Sequence, residues 1–225
     1  MTGRTATPLG INHLAQPAAA QTAAHPELHA LVAAHFERSI SVAEAFFAAE
    51  AGRIAEACLA SARRFHRGGR LLAFGNGAAA TDAQHVAVEF VHPVIVGKRA
   101  LPALALTNDS AALSSIDGDA TRSATGAPFG RQLAVLARAS DIAMGFSVDG
   151  RCPNVIEALT TAHGKGLLTI ALTGGDGGLV PAAGLDFCFV VPDPDPLVIQ
   201  ETHETLYHVL WELVHVYFEH EGLLT

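Results

Sequence analysis

Two groups of side chains in this 225-residue chain have types and spacing that could do chemistry. His85 and Glu89 lie four residues apart, about 40° around a helix, so an imidazole and a carboxylate share one face. Such a pair can hold a metal ion or divide acid and base work; without a site around it, it is a solvated surface pair. The second group is Gln200, Glu201, His203, Glu204, His208, Glu212 and His215, a heavy polar load on an otherwise apolar segment. Isolated members of such a group are ordinary core or surface residues. Glu201 and His208 are about 20° apart in helical angle, whereas Gln200 and His208 differ by about 80° and by ~12 Å of rise. A straight helix strains to place both of the latter on one ion, so a shared site needs bending, full side-chain extension or a second copy of the chain.

Two glycine-bearing turns could receive a ligand. Gly75-Asn76-Gly77 follows the apolar run Leu71–Phe74 and precedes a helical pattern. Glycine allows close approach to the backbone, and a helix start offers unpaired N–H groups to an anion. Ala80 occupies the third position of a GxGxxG pattern and no GK[ST] follows, so spacing leaves a sharp turn and a phosphate cradle equally open. The second turn is Ser147-Val148-Asp149-Gly150-Arg151-Cys152, in which Ser147 and Arg151 suit an anion and Asp149 opposes one. It also reads as an ordinary helix start.

The elements that must position these groups alternate. Residues 1–26, rich in Ala, Thr, Gln and Pro, read as a mobile tail. Helical periodicity then predicts two helices, roughly 27–49 and 51–66. Strands are expected at Leu71–Phe74, Ala103–Leu106, Asp141–Ser147, Leu167–Leu172 and Phe187–Val191, with helices over 79–91, 129–139 and 152–164 between them. A last helix runs from Leu197 to about Glu219, capped by Asp193 or Asp195. Strands alternating with helices make an α/β protein, a parallel sheet with helices on both faces.

Composition narrows the partners. Lys and Arg number 14 against 22 Asp and Glu, a net charge of −8, with no basic run, so nucleic acid and anionic lipid are poor ligands. No stretch reaches the ~18–20 apolar residues of a membrane span, and no secretory apolar segment stands at the start. Three scattered cysteines give neither a disulfide framework nor a zinc cluster and fit a reducing cytoplasm. With 50% hydrophobic and 16% charged residues, burial between subunits is expected.

Together, GNGAAATDAQHVAVEF (75–90), LPALALTND (101–109), FGRQLAVLARASDIAMGFSVDGRCPNVIEAL (129–159), LLTIALTGGDGG (167–178) and IQETHETLYHVL (199–210) resemble the sugar isomerase (SIS) domain. Within it they are similar to the phosphoheptose isomerases, which interconvert sedoheptulose 7-phosphate and a heptose 7-phosphate. The motifs span about residues 30–220 in the expected order, so one SIS domain over 27–225 is expected. The resemblance implies a flavodoxin-like five-stranded parallel sheet, a homotetramer and active sites formed between subunits. It places His85, Glu89, Gln200 and His208 at the positions that bind a divalent metal, usually zinc. It makes Glu89 the general base and His208 the partner acid or base. Asn76, Gly77, Ala78, Asn108 and Asp109, with Ser147, Val148, Asp149, Arg151, Cys152 and Gln200, match positions expected at the substrate.

The chain departs from the family at both turns. GNGGS becomes GNGAA at 75–79, and the phosphate loop STSGNS becomes SVDGRC at 147–152. Only Ser147 remains of the expected hydroxyl donors, and each lost hydrogen bond to a charged group weakens binding by roughly 1.5–3 kcal/mol. Arg151 could compensate. An isomerase with rearranged phosphate recognition is the first expectation. A substrate with its anion elsewhere, or a noncatalytic sugar-phosphate-binding or assembly protein, is the alternative.

Overall fold

A computed structural model describes residues 26–114 and 128–224. The elements are α1 (Pro26–His66), β1 (Leu71–Gly75), α2 (Ala78–Val91), β2 (Ala103–Ala105), α3 (Ser110–Ser114), α4 (Pro128–Leu136), β3 (Ile142–Ser147), α5 (Pro153–Gly164), β4 (Leu168–Gly174), β5 (Phe187–Val191) and α6 (Pro196–Glu219). Single 3-10 turns occupy Val180–Ala183 and Glu221–Leu223. The chain divides into two compact units, one ending at Arg38 and one starting at Ser39. The expected tail falls at 1–25, outside the described residues, and Pro26 already belongs to α1.

The expected pair of N-terminal helices is one continuous helix of 41 residues. Gly52 disfavours helix by about 1 kcal/mol, too little to end one that tertiary contacts hold. Arg53, next to it, bonds Glu50 Oε2 at 2.8 Å and the carbonyl of Cys188 at 3.0 Å, and its guanidinium lies over the Phe189 ring.

All strand pairs are parallel and the order is β2-β1-β3-β4-β5. β1, β3 and β4 are buried along their whole length, so they read as unbroken apolar runs rather than alternating ones. Successive side chains leave opposite faces. Leu71, Ala73, Ile142 and Met144 pack in one core with α1, α2 and α6, while Leu72, Phe74 and Ala143 pack in the other with α4 and α5.

The order 2-1-3-4-5 changes direction between β1 and β3, the place where an open α/β sheet leaves a crevice at its carboxyl edge. Gly75 pairs with Phe146, so the two glycine turns leave the sheet side by side at that crevice. At the other end, Asp141 accepts from the backbone N–H groups of Arg70 and Arg138 and from the Arg70 guanidinium.

Candidate active site

Helices α2 and α6 carry the chemical residues and are clasped along their length. Gln200 Nε2 donates to Asp82 Oδ1 at 2.9 Å, His85 Nδ1 lies 2.7 Å from Tyr207 Oη, and Trp211 Nε1 donates to the Glu89 carbonyl at 3.0 Å. Residues 82, 85 and 89 therefore meet 200, 207 and 211 in the same direction along both helices. The spacing of three, four and seven residues keeps each set on one face.

Glu89 lies where the two faces converge. Its Oε1 is 3.1 Å from His208 Nε2 and 3.4 Å from His85 Nε2, and its side chain is 12% exposed. Glu89 Oε2 is buried without a hydrogen-bond partner among the described residues. The His85 and His208 rings stand edge to face at 5.3 Å. His85, Glu89 and His208 thus meet within a single chain. Gln200 turns instead to Asp82 and, at 3.4 Å, to the Ala78 carbonyl. Glu204 comes to His85, its Oε1 3.6 Å from Nδ1. Burial pushes the Asp82 carboxyl up and the charge of Glu204 adds to this, against the hydrogen bond from Gln200. Burial likewise raises the Tyr207 phenol, helped by the charges of Glu204, Asp82 and Glu89.

These residues fit a divalent metal. His85, Glu204 and His208 each offer an atom, all within 4.8 Å of one another, and Glu89 brings a buried oxygen with no hydrogen-bond partner among the described residues. Two imidazoles with carboxylates are a donor set suited to zinc.

The crevice at the sheet edge holds a cavity of about 460 Å³, with Asn76, Ser147, Val148, Asp149, Arg151 and Cys152 in its wall. Gly77, at φ 57°, starts α2. Asn76 and Asn154 exchange amide hydrogen bonds of 2.8 and 2.9 Å, tying the two turns together. Ser147 Oγ accepts from the Cys152 N–H at 3.4 Å and Asp149 Oδ1 from the Arg151 N–H at 3.0 Å. The Arg151 guanidinium bonds the Asp149 carbonyl and Asp176 Oδ2, the latter at 2.7 Å. That contact, with the N–H of Gly178, brings Asp176 down to about 2. Gly150 has φ +66°, and a Cβ there would stand 1.9 Å from the Gly177 carbonyl, so the two loops pack closer than any side chain permits.

Asn108 and Asp109 do not line this cavity. Asn108 is exposed, and Asp109 Oδ1 caps α3 by accepting from the Ala112 N–H at 2.9 Å. Sequence reasoning passed over Asp82, Asn154, Asp176 and Tyr207. Asp82, three residues before His85 and on its face, was the one with a spacing signal.

His203 and His215 are core residues. His215 bonds the carbonyls of Trp211 and Arg99, and His203 Nε2 bonds the Thr173 carbonyl at 3.0 Å, leaving Nδ1 without a partner among the described residues. Burial lowers His203 from its ordinary value of 6.5 to about 4. Between these values the unfolded chain binds a proton that the folded protein does not, so stability rises with pH across the window and is lost on acidification. Denaturant titrations at pH 7 and 4.5 should show His203 contributing a loss of up to about 3 kcal/mol. Equal pH slopes for wild type and His203→Gln would exclude it as the source.

Fold and crevice define an open α/β protein with its crevice at the carboxyl ends of β1 and β3, the place where such sheets take their ligands. A family model described as a SIS domain matches residues 34–174. The phosphoheptose isomerase of Desulfovibrio desulfuricans is 41% identical over 195 residues, covering 86% of this chain and 91% of that protein. That of Aquifex aeolicus is 40% identical over 179 residues, 80% and 92% of the two chains. Among solved structures, the phosphoheptose isomerase of Neisseria gonorrhoeae superposes with a TM-score of 0.74 at 36% identity, over 83% of this chain and 99% of that one. The enzyme from Francisella tularensis gives 0.75 at 29%, over 82% and 96%. The chain belongs to the phosphoheptose isomerase family of SIS-domain proteins.

Proposed function

We propose that the protein is an aldose–ketose isomerase that interconverts sedoheptulose 7-phosphate and a heptose 7-phosphate. The observation that carries this reading is Glu89, largely buried, with one oxygen shared by two histidines and the other without a partner among the described residues. A carboxylate so placed suits removal of a weakly acidic proton beside a carbonyl. Glu89 takes the proton from the carbon next to the carbonyl, and His208 gives a proton to the carbonyl oxygen, which yields an enediol. Return of the Glu89 proton to the neighbouring carbon, with the other hydroxyl proton passing back to His208, completes the isomerisation and restores both groups. His85, Glu89 and His208, with Gln200, would hold a zinc ion, which would supply electrostatic stabilisation of the developing negative oxygen.

The phosphate end is assigned to the crevice beside Asn76 and Arg151. In place of the hydroxyls the family uses there, Arg151 supplies the positive charge, released from Asp176 by the incoming anion. The site works in a cytoplasmic homotetramer. Leu31, Val32 and Phe36 of α1 are 65, 71 and 64% exposed, and Val94 and Val96 are 75 and 100% exposed, more apolar surface than a small monomer leaves in water. Light scattering at micromolar concentration is expected to report a tetramer, and a monomer would overturn that assignment. No helix among the described residues is long and apolar enough to cross a membrane.

The deciding experiment incubates the zinc-loaded protein with sedoheptulose 7-phosphate and follows heptose 7-phosphate by NMR. Appearance of the aldose supports the isomerase. Its absence, with bound sugar phosphate still detected, favours the noncatalytic binding protein instead.

A further inference from the structure

We propose that Glu204 and Tyr207 are positioning residues for His85: they hold its ring proton on Nδ1 and keep Nε2 bare toward Glu89 and His208. The inference rests on the reading of His85 as a metal ligand. The two nitrogens of this ring face different groups. Nε2 points to Glu89 Oε1 at 3.4 Å, whereas Nδ1 is 2.7 Å from Tyr207 Oη and 3.6 Å from Glu204 Oε1.

A neutral imidazole carries one proton, and only the bare nitrogen can bind a cation. Tyr207 by itself leaves the choice open, because its hydroxyl can donate to Nδ1 or accept from it. An ionised carboxylate only accepts, so Glu204 beside Nδ1 favours the proton there, with Tyr207 Oη as its near partner. Glu89 pulls the opposite way from Nε2, yet its Oε1 lies closer to His208 Nε2, at 3.1 Å against 3.4 Å, so its claim on a His85 proton is the weaker. The fold holds Tyr207 rigidly against the imidazole, with its side chain fully buried and its ring edge-on to His85, His208 and Phe146. A carboxylate behind a ligand histidine fixes the ring and raises its basicity, and losing such support weakens metal binding roughly 10–100-fold.

The test uses Glu204→Gln, at a position 47% exposed that tolerates an amide, and Tyr207→Phe, which keeps the ring. Long-range 1H–15N spectra of the zinc-free proteins at pH 8 report the His85 tautomer directly. The wild type is expected as the Nδ1–H form, and Glu204→Gln as the Nε2–H form or a mixture, with Tyr207→Phe shifted the same way. Competition against a chromophoric chelator is expected to show zinc affinity lower by roughly 10–100-fold in Glu204→Gln. An unchanged tautomer overturns the proposal: unchanged zinc affinity then leaves the zinc reading standing, and lowered affinity makes Glu204 a ligand of the metal itself. A tautomer that depends on Glu204, in a protein that binds no zinc, supports the positioning role and removes the metal from the proposed mechanism.

Discussion

Glu89→Gln is expected to lower kcat for sedoheptulose 7-phosphate by roughly 10²–10⁴-fold while leaving KM within a few-fold, the range that general-base removal produces. Glutamine has the same shape and keeps an oxygen toward His85 and His208, so what it removes is the negative charge and with it the basicity, and zinc-loaded protein is used so that metal loss is not read as loss of the base. The variant should also be at least as stable as the wild type. Glu89 Oε2 is buried with no partner among the described residues, an arrangement that costs folding free energy and is kept at sites where it serves chemistry. Steady-state kinetics together with thermal melts check both halves. A kcat within about tenfold of wild type, below the smallest contribution general-base catalysis normally makes, would remove Glu89 from the role of base. A melting point several degrees lower would show that its carboxylate is held by contacts the fold requires.

Asp141→Ala is expected to destabilise the protein by about 2–5 kcal/mol, because two backbone N–H groups lose their buried acceptor, at roughly 1–3 kcal/mol each, while Arg70, 32% exposed, keeps access to water. The Asp141 side chain is 0% exposed and meets Arg70 Nη2 at 2.8 Å. It also accepts from the backbone N–H groups of Arg70 and Arg138 at 2.9 and 3.0 Å. The loss strikes where β1, β3 and β4 begin, because Ile142 N bonds the Arg70 carbonyl and Leu168 N the Asp141 carbonyl. Burial alone would raise the Asp141 carboxyl, but the hydrogen bonds from Arg70 and Arg138 outweigh it and hold the group below the usual carboxylate range. Its contribution is therefore present above the unfolded value near 3.9 and lost only as pH falls through the lower folded value. Guanidinium titration at pH 7 measures the effect, and a change under about 1 kcal/mol, the worth of an exposed pair, would contradict it. Because Asp141 lies at the amino edge of the sheet and the crevice at the carboxyl edge, the folded variant should keep its KM.

The same division between local and distant causes runs through the whole molecule. Buried strands such as Leu168–Gly174 betray themselves as apolar runs, and the glycine turns at 75–77 and 147–152 as breaks between strand and helix patterns. Those signals come from neighbouring residues, so the α/β class, the five strands and the shared face of His85 and Glu89 were legible from the chain alone. The break expected near residue 50 was not real, because the contacts that carry α1 through Gly52 come from Cys188 and Phe189, over a hundred residues away. Spacing also left open whether Gln200 and His208 share one ion. Only the packing of α2 on α6 decided that Gln200 meets Asp82 and that Tyr207 and Glu204 flank His85, and only the meeting of two loops set Arg151 on Asp176. Periodicity records which face a residue occupies; what it meets there depends on segments that adjoin only once the sheet has formed, and no local pattern carries that information.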